Sequence, residues 1–191
     1  MKPRNKIIII SGTSGSGKTT LINHLLNKEE LNLTFSISAC SRNRRPMEEQ
    51  GKDYFFLSPQ EFLHKIKKND FIEWEEVYPN NFYGTLKSSV NQIMQSGKNV
   101  LFDVDVKGAL SIKEYFQDQA CTIFIQPPSL EVAEQRLRNR QTESEKDLLV
   151  RVNKMQKEIR FSNKMDYRLI NDNLQIARTE LYNYVAKFLK L

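Results

Sequence analysis

The chain has 191 residues, enough for one α/β domain or one core with inserted subdomains, and enough to bury most of its apolar surface without staples. Its 29 Lys and Arg against 23 Asp and Glu leave a net charge of +6, which fits polyanionic partners, either nucleic acid or nucleotides. Cys40 and Cys121 have no metal-like spacing, no apolar run approaches the ~18 residues of a membrane span, and "MKPRNK" leads straight into a strand. A zinc site, a membrane segment and a signal peptide are therefore not expected, and the thiols read as reduced ones in a cytoplasmic protein.

The first predicted element is a buried strand, Ile7 to Ile10, four β-branched residues in a row. It runs into "SGTSGSGKTT" and then into a helix over about Lys18 to Asn27. This is G-x-x-x-x-G-K-[ST] between a strand and a helix, the context that gives the motif its meaning. Gly12, Gly15 and Gly17 let successive backbone N–H groups, those of Thr13, Ser14 and Ser16 among them, point into one concavity that suits phosphate oxygens. The helix N-terminus adds partial positive charge. Lys18 can reach the β- and γ-phosphates, and the Thr19 hydroxyl, with Thr20 beside it, can hold Mg²⁺.

"LTFSISA" alternates like a strand. Arg42, Arg44 and Arg45 then crowd into a loop that closes at Gly51, either a solvated loop or a clamp whose planar guanidinium groups bond phosphate bidentately. "DYFFL" reads as a short strand. Ser58, Pro59 and Glu61 have the capping-box spacing of a helix start, and Phe62, Leu63 and Ile66 form its apolar face, with His64 on the surface. "FIEWEEVY" is a strand in which alternation alone would turn Glu73 to solvent. Tyr54, Tyr78 and Tyr83 are packing residues or, beside arginines, phosphate holders.

A helix from about Leu86 to Gln95 stops before Gly97. The strand in "NVLFDVDVKG" ends in Asp103 and Asp105, which read as a group that orients Mg²⁺ and its waters, or as cap and turn aspartates. "KGALSIKEYF" reads as a helix, "ACTIFIQP" as a strand, and Ser129 as the cap of "LEVAEQRLRNR". The polar "QTESEKD" and a helix over about Leu148 to Asn163 complete either a mobile lid or an ordinary helical hairpin. "YRLIND" is a last strand, and the C-terminal helix carries Leu174, Ala177, Leu181, Val185 and Phe188 on one face. Alternating strands and helices imply a parallel sheet covered on both faces.

The stretches "SGTSGSGKT", "SRNRRP…GKDYFF", "FIEW", "YGT", "LFDVDVKG", "RLRNR" and "IND" occur in one order along essentially the whole chain. In them the sequence resembles guanylate kinase, of the nucleoside monophosphate kinase group. The resemblance implies a three-layer P-loop α/β kinase with three parts. These are a parallel core over residues 1–34 and 87–191, a small mixed α+β GMP-binding insertion over 35–86, and a helical lid near 138–146. It implies transfer of the ATP γ-phosphoryl group to GMP with Mg²⁺. Carried over, Arg42, Arg45, Tyr54 and Tyr83 would hold the GMP phosphate. Glu73, Ser38, Thr85 and Asp105 would read guanine. Arg136, Arg140 and Arg151 would close over the ATP phosphates, Asn171 would meet the adenine side, and Asp103 would join Thr19 at the metal, through water. Lys18, Arg42, Arg136, Arg140 and Arg151 are the residues expected to carry catalysis. The sequence departs from the family at Thr13 (often proline), Arg44 and Met47 (proline and glycine), Lys107 (usually glutamine) and Gln141 (usually glycine).

Three rivals remain at this stage: another small-molecule phosphate kinase, a non-catalytic protein-binding module of the same fold, and a P-loop nucleic-acid protein. Glu73 with Ser38 and Thr85 favours guanine, the intact Lys18 and Thr19 disfavour the module, and the lack of a separate basic stripe disfavours nucleic acid. GMP and ATP are the expected partners, without nucleic acid or membrane, in a monomer or small homo-oligomer.

Overall fold

The computed structural model describes residues 5–139 and 155–191. Its centre is β1 (Ile7–Gly12), whose four isoleucines are fully buried and alternate between two cores. Ile8 and Ile10 meet α1 (Lys18–Leu26) and the last helix through Leu21, Leu25, Leu181 and Val185. On the other face, Ile7 and Ile9 pack with Phe102 of the adjacent strand and with Val90, Ala109 and Ile112 of the helices there. Each such side chain contributes about 1.5–3 kcal/mol, an upper estimate because the unfolded chain is already partly compact.

Five strands form the first sheet in the order β2-β7-β1-β8-β9, all parallel. They are β2 (Leu33–Phe35), β7 (Asn99–Asp103), β8 (Ala120–Gln126) and β9 (Tyr167–Ile170) around β1. The second sheet has the order β4-β3-β6-β5, from β3 (Ala39–Cys40), β4 (Phe55–Phe56), β5 (Phe71–Tyr78) and β6 (Asn81–Leu86). β3 pairs β4 in parallel and β6 antiparallel, and β5 with β6 makes a hairpin around Pro79 and Asn80. Its core stacks Phe62 on Phe71 at 4.3 Å between ring centroids.

The helices are α1, α2 (Pro59–Lys67), α3 (Lys87–Gln95), α4 (Val106–Phe116), α5 (Leu130–Arg138), α6, which includes residues 155–161, and α7 (Leu174–Leu189). The capping box at α2 is present: Ser58 accepts from the Glu61 backbone, and Glu61 accepts from the Ser58 backbone. α3 ends before Gly97, whose φ of 81° is the left-handed turn a side chain resists.

The structure corrects three expectations. "LTFSISA" is not one strand. The Ser36 N–H donates to the Leu101 carbonyl in the first sheet, while the Ser38 carbonyl accepts from Phe55 in the second. Local alternation cannot register that change of partner. Leu63 and Leu174, placed on buried faces, are 42% and 38% exposed, because α2 and α7 bury narrower stripes than their apolar spacing offers. Finally, Glu73 is half-buried and does not face open solvent.

Cys40 and Cys121 are free, buried thiols. Burial pushes Cys121 up to about 12, which keeps it protonated and unreactive.

Candidate active site

β1 ends at the open C-terminal edge of its sheet, between β7 and β8, where ligands of such sheets bind. The loop from Thr13 to Gly17 turns there into α1. Gly17 caps that helix at φ 85°, and a Cβ on it would lie 2.3 Å from the Asn171 side-chain nitrogen. Both the turn and the close approach require glycine here. Asn171, at the end of β9, donates from Nδ2 to the Ser16 carbonyl at 2.8 Å. Its own carbonyl accepts both terminal nitrogens of Arg136 at 3.1 Å. Asn171, read from the sequence as an adenine contact, thus stands beneath the P-loop and links it to α5. Together with Gly15, Gly17, Thr20 and Arg136 it borders an open cavity of about 370 Å³.

Lys18 lies in the first turn of α1, with its Nζ 3.6 Å from Asp103 at the end of β7. Burial pushes the Asp103 carboxyl up, and Lys18 opposes that shift. Thr19, one residue on, is exposed.

A second cavity, of about 250 Å³, opens between the two sheets and is lined among others by Ser38, Tyr54, Glu73, Tyr83, Asp103 and Asp105. Glu73 and Thr85 are register partners on β5 and β6. The fully buried Thr85 hydroxyl donates to Glu73 Oε1 at 2.7 Å. Burial raises the Glu73 pKa above the ordinary carboxylate value; the Thr85 bond counters this and nearby Asp105 adds to it. Asp105 is the N-cap of α4, accepting from Gly108 N–H at 2.9 Å. Of the two aspartates, Asp105 thus serves as a helix cap and also lines the cavity, whereas Asp103 ends β7. A Cβ at Gly108 would stand 3.3 Å from Glu73 Oε2 and 3.4 Å from Asp105 Oδ1, so the glycine makes room for both acids.

Beside two of the cavity's tyrosines, Arg42 donates from Nε to the Tyr83 hydroxyl at 3.2 Å, and its guanidinium lies 5.0 Å from the Tyr54 ring centre. Its terminal nitrogens grip Glu48 bidentately at 2.6 and 2.7 Å. Arg42 holds the Glu48 carboxyl down at about 2, helped by the Arg45 backbone N–H at 2.9 Å, and Glu48 in turn raises Arg42. Sequence reasoning missed Glu48; its signal was an acid six residues after Arg42, inside the arginine loop. The Arg45 side chain is exposed on the same loop. Ser38, Arg42, Tyr54, Glu73, Tyr83, Thr85 and Asp105 are thus brought together. Arg140, Arg151, Gln141 and most of the expected lid lie outside the described residues.

The structure thus holds one cavity bordered by the P-loop, a second lined by Glu73, Tyr54, Tyr83 and Asp103, and a Lys18 side chain paired with that same Asp103. The guanylate kinase family model matches residues 4–188 of this chain. The chain belongs to the guanylate kinase family. A guanylate kinase of Porphyromonas gingivalis is 50% identical over 96% of this chain and 98% of its own length. One of Bacteroides fragilis is 46% identical over 96% and 90%. Among solved structures, a guanylate kinase from Anaplasma phagocytophilum superposes with a TM-score of 0.75 at 28% identity, over 97% of this chain and 87% of that one. The fold and the family named from the motifs are those found.

Proposed function

We propose that the chain transfers the γ-phosphoryl group of ATP to GMP, giving ADP and GDP, as an enzyme of purine nucleotide metabolism in the cytoplasm. The observation that carries this reading is the Thr85-anchored Glu73 carboxylate in a cavity that is also lined by Tyr83, whose hydroxyl accepts from Arg42. A carboxylate accepts from the N1–H and N2 amino donors of guanine, and the arginine and tyrosines donate to a phosphate. On this reading, residues 35–86 form the acceptor-binding part and the rest the P-loop core.

The P-loop amides and Lys18 hold the ATP phosphates, and Arg42, Arg45, Tyr54 and Tyr83 hold the acceptor's. An acceptor oxygen bonds to the γ-phosphorus as the bond from that phosphorus to the β-bridging oxygen breaks, leaving the electron pair on ADP. The attacking oxygen is already anionic, so no general base is needed. What the residues supply is alignment and neutralisation of two phosphate groups that would otherwise repel. Arg136, Arg140 and Arg151 add charge at the transferring group. Thr19, an exposed residue in the first turn of α1, and Asp103, whose carboxylate is steadied by Lys18, suit a hard divalent cation that keeps several waters. They would hold Mg²⁺, Asp103 through water, and the ion would neutralise phosphate charge.

A coupled ADP-release assay across GMP, AMP, CMP and UMP tests the reading. GMP should be the one efficient acceptor; equal rates with AMP would reject it. Arg42→Ala should raise the KM for GMP by about tenfold or more, from the loss of charge-assisted bonds, and leave the KM for ATP little changed. Equal effects on both substrates would contradict the division between the arginines.

A further inference from the structure

Arg42 carries five N–H donors. Its Nε donates to the Tyr83 hydroxyl at 3.2 Å, and Nη1 donates to the Asn43 carbonyl at 3.0 Å and to Glu48 Oε2 at 2.7 Å. Nη2 donates to Glu48 Oε1 at 2.6 Å, and its second hydrogen has no partner among the described residues. The bidentate edge that a guanidinium offers to phosphate is therefore already filled by a carboxylate. Glu48 is not loosely placed. Its Oε2 also accepts from the Arg45 backbone N–H at 2.9 Å, and the Arg42 and Glu48 side chains are largely covered, at 16% and 15% exposed. The guanidinium lies over the Tyr54 and Phe56 rings, 5.0 and 5.6 Å from their centres. Held at its edge and over its face, Arg42 keeps one orientation.

That orientation decides what Tyr83 can do. Tyr83 lines the acceptor cavity. A phenol oxygen that accepts from Arg42 turns its own hydrogen away from that arginine, so Tyr83 is left as a donor to the occupant of the cavity. An Arg42 released from Glu48 could instead fold both terminal nitrogens onto the ligand and leave the phenol unoriented. We infer that Glu48 is a positioning residue of the acceptor-phosphate site: it holds Arg42 so that the phosphate receives the Tyr83 hydroxyl and a single Arg42 N–H in place of a two-pronged grip. The inference rests on the acceptor reading above. Glu48 also sets a negative charge beside the bound anion, and Arg42 holds its carboxyl down at about 2, so that charge persists at neutral pH. By charge alone, Glu48 would hinder the acceptor. Positioning and repulsion therefore have opposite signs, and a substitution reads which one governs.

The test measures the KM for GMP and for ATP in Glu48→Ala and Glu48→Gln, beside thermal melts. Glu48→Ala should raise the KM for GMP by about tenfold, the value of one hydrogen bond to a charged group, and leave the KM for ATP unchanged. Glu48→Gln keeps the side chain's length and one acceptor oxygen; it should raise the KM for GMP less, and it reads the same sign should Glu48→Ala melt early. A KM for GMP that falls or stays put overturns the inference, because relief of repulsion then governs. Equal rises for GMP and ATP overturn it as well, since they mark general damage to the fold. Tyr83→Phe supplies a second readout. It should weaken GMP clearly in the wild type and much less in Glu48→Ala, because the two side chains act through one hydrogen bond. Losses that simply multiply would show that Glu48 does not act through Tyr83 and would overturn the inference. A wild type inactive on GMP overturns the acceptor reading itself.

Discussion

Lys18→Met should lower kcat by about two decades or more, the loss seen when a charge-stabilising group is removed from the transition state. The protein should stay folded. Lys18 is only partly covered, and its one described ion pair, to Asp103, spans 3.6 Å. Methionine keeps the length of the stem and its packing along α1. What is lost is a cation beside the P-loop at the moment negative charge moves toward the bridging oxygen. The KM for ATP should change less than kcat, because the loop's backbone amides continue to hold the phosphates. Steady-state kinetics beside a thermal melt separate these effects. A near-normal kcat would remove Lys18 from the mechanism.

Glu73→Gln should reduce kcat/KM for GMP by about two decades, on the order of 3 kcal/mol. The substitution keeps size but turns one acceptor oxygen into a donor, which then meets a donor on guanine. Adenine presents a bare N1 lone pair where guanine presents N1–H, so in the wild type it faces the carboxylate with repulsion. A site built to bond its substrate can reject such an analogue by roughly 10⁴, and the variant should show a much smaller GMP-over-AMP ratio. An unchanged ratio would withdraw the base-reading role. Acid should act in the same direction. Burial has raised the Glu73 pKa, so its carboxyl protonates at a higher pH than an ordinary glutamate and then donates where it must accept. The KM for GMP should therefore climb as pH falls toward that raised value, whereas in Glu73→Gln it should stay flat.

The P-loop was legible because its signal is local: a run of β-branched residues, glycines at fixed spacing, then Lys18 and Thr19. Capping chemistry at Ser58 and Ser129 was legible for the same reason, each being satisfied within three residues. Glu73 was visible only through the family resemblance, since its burial comes from a hairpin and from α4 closing over it. Glu48 was harder to read, because its one signal, an acid six residues after Arg42, lies in a loop with no period that would pair the two. The break at Ser36 to Ser38 was hidden likewise, since what changes there is the neighbouring strand, not the local pattern.

The amide of Asn171 reaches back 155 residues to the Ser16 carbonyl. On a ribosome, the first motif made therefore waits for nearly the last. A nascent chain that has emerged only as far as β8 has the glycines, Lys18 and Thr19, but not the side chain that fills the space under Gly17. It also lacks the β9 edge that sets where that side chain stands. The order of synthesis thus separates carrying the phosphate motif from holding it in shape, and a chain cut off before residue 171 would carry it without that support.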